Sequence, residues 1–182
     1  NKHFFNEKFF NSQVKKIFQE FPIVRNLARQ KCLFDLTMGI LKSRKVQLPE
    51  IANAVQTRAD TRSIKSIIHR FEDFFREVDL NYEILAFCFL FCLGEKGKIR
   101  LCLDRTEWDF GRCQVNILML TASCGAIQVP LFWELLDNKS GNSNTSQRID
   151  LLQKAIDLIG TKRIGILIAD REFIGHKWLI LK

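Results

Sequence analysis

Two acidic residues stand where a sheet could present them side by side. Asp104 follows Leu101-Cys102-Leu103 and Asp170 follows Ile166-Leu167-Ile168-Ala169, so each carboxylate is expected at the end of a short apolar strand. Short, stiffly held carboxylates at one sheet edge are hard oxygen donors for divalent cations. Two such ions roughly 3.5–4 Å apart can activate an attacking oxygen and stabilise a leaving one in phosphodiester chemistry. The plainer alternative makes both residues turn or helix-capping acids that happen to follow buried strands. The metal chemistry asks for a third acidic ligand, and none is evident before Lys182.

The elements that must position these acids begin after Gly97. Lys98 to Asp104 alternates Ile99, Leu101 and Leu103 with Arg100, Cys102 and Asp104, the period of a strand. Two more strands are expected over Gln114–Ala122 and Ala126–Trp133, with Ser123-Cys124-Gly125 as the turn between them. A polar loop from Asp137 to Asn144 leads to an amphipathic helix carrying Ile149, Leu152, Ile156 and Ile159, which Gly160 ends. A buried apolar strand, Arg163–Ala169, then stops at Asp170, and another helix is expected from Phe173. Three meander strands, a helix and a strand returning beside the first make the order of a ribonuclease-H-like domain. In that order Asp104 and Asp170 meet across neighbouring strands.

Upstream, from Phe9 to Phe91, apolar residues recur at helical spacing with little Gly or Pro between them. Pro22 and Pro49 fall where helices begin or separate, and Gly94 closes the last. The segment Leu48–Val55 followed by Thr61–Phe71 reads as a short helix, a turn and a longer helix. Its apolar stripe is Ile64, Ile67, Ile68, Phe71, Phe74 and Phe75, which turns Arg58, Arg62, Lys65, His69 and Arg76 outward as a basic surface. That surface loosely resembles a helix-turn-helix reader of DNA; a solvated helix face is the alternative. The expected class is therefore α+β, with an all-helical, DNA-binding domain over residues 1–95 and an incomplete ribonuclease-H-like α/β catalytic domain over 96–182.

Charge agrees with a polyanionic partner. The 28 Lys/Arg and 20 Asp/Glu leave a net charge of +8. Residues 1–80 hold 15 basic against 9 acidic residues, a net of +6, and residues 81–182 hold 13 against 11, a net of +2. The six cysteines form no CxxC pair and lie far from the three histidines, which argues against zinc and for reduced thiols in a cytoplasmic compartment. The apolar run Ile84–Leu93, flanked by Glu83 and Glu95, is about half the length of a membrane span. No signal peptide is expected at Asn1-Lys2-His3-Phe4-Phe5, and the missing initiating Met reads as a fragment.

Three motifs at ordered spacing carry a family resemblance. Asp104-Arg105-Thr106-Glu107-Trp108-Asp109-Phe110-Gly111 with Asn116, then Pro130-Leu131-Phe132-Trp133, then Ala169-Asp170-Arg171-Glu172-Phe173-Ile174-Gly175 together resemble the DDE transposases of bacterial insertion sequences, most closely the insertion-sequence-four family. The resemblance runs from about Gly97 to Trp178. It implies that Asp104 and Asp170 are the first and second catalytic and metal-binding acids, with Mg2+ or Mn2+ in a two-metal site. The third acid, a Glu in a Tyr-x-x-Arg-x-x-x-Glu pattern, is expected beyond this chain; Glu107 and Glu172 do not lie in that pattern. Arg105 and Arg171 are candidate phosphate contacts or, equally, salt-bridge partners of the aspartates. Trp108 and Trp133 are expected in the core. The resemblance further implies double-stranded DNA as partner, as terminal repeats and as target, a homodimer on paired ends, and a bacterial, nucleoid-associated location. The reaction would be cleavage at element ends followed by strand transfer. A remnant that only binds DNA is the alternative.

Overall fold

Local capping signals set where the helices begin. In the computed structural model, which describes residues 7–56, 61–94, 97–136 and 144–170, five helices come first: α1 (Glu7–Glu20), α2 (Leu27–Ser43), α3 (Leu48–Val55), α4 (Ile64–Glu77) and α5 (Tyr82–Leu93). The Asn26 side chain accepts from the backbone N–H groups of Ala28 and Arg29 to start α2, and Ser63 accepts from Ser66 to start α4. Pro49 sits in the first turn of α3, where its missing N–H costs nothing. Arg44 ends α2 in the left-handed region, its N–H bonded to the Ile40 carbonyl.

Helices α2, α3 and α4 close on one apolar core. Ile51, Ala52, Ile67, Phe71 and Phe74 are buried there with Cys32 and Leu36. Gly39 lets α3 approach α2: a Cβ at that position would stand 2.5 Å from Ile51 Cγ2. The expected stripe of α4 is therefore correct at its centre, but Phe75 is 66% exposed. Two compact units divide between Leu85 and Ala86, inside α5, ten residues ahead of the boundary expected at 95. The helix is apolar nearly all round. Ile84 and Leu85 pack on the helical core, while Ala86, Leu90 and Leu93 enter the core of the second unit. No helix among the described residues is long and apolar enough to cross a membrane.

The second unit is a four-stranded mixed sheet, so the chain is α+β. Strands β1 (Ile99–Phe110), β2 (Cys113–Cys124) and β3 (Ile127–Leu136) form an antiparallel meander, α6 (Thr145–Ile159) follows, and β4 (Ile164–Ala169) returns beside β1 in parallel. The order is β3-β2-β1-β4. Gly111 and Gly125, both at φ near +60°, make the two tight hairpin turns. A capping box between Asn144 and Gln147 starts α6.

Strand alternation divides the sheet into two unlike faces. Ile99, Leu101 and Leu103 of β1, Leu118, Leu120 and Ala122 of β2 and Leu131 of β3 form a core with Leu151, Leu152 and Ala155 of α6. On the other face no side chain among the described residues is buried. Ile117, Met119 and Trp133 are half-buried there, and Trp108, Leu135, Ile166 and Ile168 are exposed. Two expectations change accordingly. Trp108, expected in the core, is 55% exposed, and β4, expected to be buried, has only one covered face. The reason is that an apolar run has no built-in inside; burial needs a second layer on each face. The expected helix from Phe173 and the loop 137–143 lie outside the described residues.

Candidate active site

A one-residue shift sets the phase in which the two strands reach the aspartates. Strands β1 and β4 start in register at Ile99 and Ile164, but the next pair is Arg100 with Ile166, so Gly165 is an extra residue in β4. From there the pairs run to Leu103 with Ala169. Asp104, still within β1, and Asp170, the residue just past β4, each follow a member of that last pair on parallel strands whose axes run about 4.8 Å apart. Without the shift, Asp170 would register with Arg105 and fall on the core face, because each one-residue slip exchanges the faces. Gly165 suits this crowded point: a Cβ there would lie 2.9 Å from Lys98 Cβ.

Asp104 does not end its strand. It is the sixth residue of the twelve-residue β1, which continues to Phe110 as a hairpin with β2. The sheet edge at the acids is instead made by β4, whose last strand residue is Ala169. Both aspartates are exposed. Asp104 Oδ1 accepts the Arg105 backbone N–H at 2.8 Å, which restrains the carboxylate. The flanking positions on this face of β1 are Cys102 and Thr106, with Met119 across on β2. Burial, and then the nearby Asp104 carboxylate, push the Cys102 thiol above its ordinary pKa.

Arg105 lies on the opposite face from Asp104. Its guanidinium bonds Glu107 Oε1 at 2.8 Å, and only a fifth of its side chain is exposed. Alternation thus separates Arg105 from a phosphate held at the aspartates. On that core face, beyond the apolar residues, sit Asn116 and Arg148, both more than nine-tenths buried. Asn116 Oδ1 has no hydrogen-bond partner. Sequence reading gave neither a buried role: Asn116 occurs in a strand and Arg148 on a helix otherwise read by its isoleucines.

Two members of the expected basic surface, His69 and Arg76, are partnered by acids of α4 itself. His69 Nδ1 bonds Glu72 Oε2 at 3.0 Å, and Arg76 pairs with Asp73 and Glu77. Arg70, between them, pairs with Asp35 of α2. Lys65 is exposed, and Arg62 is half-buried with its carbonyl accepting from Gln56 Nε2 at 2.8 Å. Arg58, Arg171 and Glu172 lie outside the described residues.

The two carboxylates are exposed, and as hard-oxygen donors they fit Mg2+ or Mn2+ in ligand type. Among the described residues no group of three or more His, Cys, Asp or Glu side chains comes together to hold a metal. No family model, curated protein or solved structure matches the chain.

Proposed function

We propose that this chain belongs to a DDE-type DNA transposase, with Asp104 and Asp170 as the first two acids of a ribonuclease-H-like catalytic core. The observation that carries this reading is that Asp104 and Asp170 each directly follow a member of the last registered pair of the parallel strands β1 and β4, Leu103 with Ala169. The strand order β3-β2-β1-β4, with β1 parallel to β4, supports the fold assignment. The motifs around both acids support the family.

Asp104 and Asp170 would hold Mg2+ or Mn2+, and the bound ion would supply charge neutralisation and an activated oxygen for phosphodiester cleavage. What the chain itself contributes is position. Strand backbone holds Asp104, Asp170 directly follows β4, and the Arg105 N–H fixes one oxygen of Asp104, which reduces the ordering left to be done when substrate arrives. Two like charges at strand spacing repel each other by roughly 1 kcal/mol in a watery environment, and a cation between them reverses that sign. The third acid would come from outside these residues: the only tyrosine is Tyr82, and no Tyr-x-x-Arg-x-x-x-Glu pattern occurs. Double-stranded DNA, as element end and as target, is the substrate in this reading, with a dimer on paired ends.

The test uses the protein expressed from its full reading frame with DNA from both ends of the encoding locus. Mg2+- or Mn2+-dependent nicking at those ends is expected, and Asp104→Asn and Asp170→Asn should each abolish it. Nicking that survives both substitutions, or none by the unsubstituted protein, overturns the proposal.

A further inference from the structure

The positive charge of the helical unit is concentrated away from the helix-turn-helix-like segment. Residues 7–45 hold nine Lys/Arg against three Asp/Glu, a net of +6, whereas residues 46–94 hold five against seven, a net of −2. Helix α4 alone balances three Lys/Arg with three Asp/Glu, and most of these are paired with one another or with α2. A polyanion approaching this unit therefore meets its attractive potential at α1 and α2.

The surface there is grooved, with lysines along an otherwise largely apolar lining. Two contiguous hollows of about 350 and 450 Å3 run between α1 and α2 and share Lys15, Phe34 and Asp35. Lys42 lines the first and Lys31 the second, so three exposed lysines span the groove with Lys15 common to both hollows. Lys31 and Lys42 are eleven residues apart on α2, about 16 Å along a helix axis. Among the described residues, the only acid lining either hollow is Asp35, and its charge is offset by the Arg70 guanidinium bonded to it. Neither Lys15 nor Lys31 forms an ion pair among the described residues.

We propose that the α1–α2 groove is the surface on which the helical unit holds the phosphate backbone of duplex DNA, through Lys15, Lys31 and Lys42. The identity of the polyanion rests on the transposase reading; the location of the surface rests on charge and shape. Binding at this groove is independent of base sequence, because lysines on phosphates set position and carry no base readout. It replaces Arg58, Arg62 and Lys65 as the principal contact.

The experiment measures fluorescence anisotropy of a labelled 30-base-pair duplex with the 182-residue chain across a potassium chloride series. The Lys15→Gln/Lys31→Gln/Lys42→Gln variant should lose about 2.7 from the slope of log K against log salt, near 0.9 per phosphate contact. The corresponding triple Lys→Arg variant should keep the slope, and Arg62→Gln/Lys65→Gln should change it little. Independently of any variant, acetylation footprinting should find Lys15, Lys31 and Lys42 protected by DNA while Lys65 stays reactive. An unchanged slope in the triple Gln variant, protection of Lys65 instead, or absence of salt-dependent duplex binding by the unsubstituted chain overturns the proposal. So does binding to anionic vesicles or RNA in place of duplex. Asp104→Asn and Asp170→Asn should leave this binding intact, which separates its outcome from that of the cleavage test.

Discussion

Asp104 and Asp170, sixty-six residues apart in sequence, each directly follow a member of the last registered pair of two parallel strands, Leu103 with Ala169. In the proposed site, two like charges make opposite demands on stability and on metal binding. With Asp104→Asn or Asp170→Asn, the apparent melting temperature without metal should stay level or rise slightly, since a like-charge repulsion is relieved. The unsubstituted protein should gain melting temperature on adding millimolar Mn2+, as a ligand of the folded state does, and either variant should lose that gain. Differential scanning fluorimetry with and without Mn2+ checks both parts.

Gly165 is where the phase of β4 is set. Gly165→Val places a side chain against Lys98 at a distance that forces the strands to shift. The expected result is a modest stability loss, about 1–3 kcal/mol as for other overpacked sites, together with loss of the Mn2+-dependent stabilisation although both aspartates remain. Urea denaturation in parallel with the metal titration would reveal it. A variant that keeps the full metal response would show that the bulge is not needed to align the acids.

The Arg70–Asp35 pair ties α4 to α2 in a partly buried setting. Arg70 also stacks 5.7 Å from the Phe71 ring centroid, its Nε is buried without a partner, and its carbonyl accepts from Cys32 Sγ at 3.7 Å. Asp35→Ala strands a guanidinium that is 70% buried and should cost about 2–3 kcal/mol; Arg70→Met, which removes the charge and keeps the stem, should cost less. Chemical denaturation of both single variants and the double variant gives the coupling.

The cysteines should separate by reactivity. Cys92 and Cys113 are exposed, whereas Cys32 and Cys88 are buried, and all six are free thiols. Burial, reinforced by neighbouring Cys92, pushes the Cys88 thiol up to about 11. Ellman's reagent at pH 8 should modify Cys92 and Cys113 fast and leave Cys32 and Cys88 until the protein unfolds. The sign of the pH effect follows from the raised folded value. An unfolded Cys88 ionises near its ordinary 9.0 and the folded one near 11, so stability is intact below pH 9 and falls as pH rises through that window. Denaturation midpoints of Cys88→Ala should show a shallower fall between pH 9 and 11 than the unsubstituted protein.

The change of period at Gly97, the meander, the crossover helix and the two acid-bearing strands were all legible in the amino-acid sequence. Strand alternation, helix caps and glycine turns are local codes and act over a few residues. The same codes placed Ile67, Phe71 and Phe74 in the core of the helical unit. Alternation could also have shown that Arg105 faces away from its neighbour Asp104, and counting charges by segment could have located the basic surface on α1 and α2.

Other relationships arose only when distant segments packed. The shift at Gly165, which sets the phase in which β4 runs toward Asp170, depends on how β4 docks beside β1, and nothing within either strand specifies it. The neutralisation of Arg70 by Asp35 joins helices 35 residues apart. The exposure of Trp108, Ile166 and Ile168 depends on what covers the second face of the sheet. Side-chain period is a property of one strand, whereas register, charge pairing and burial belong to pairs of elements, so only the tertiary structure decided them.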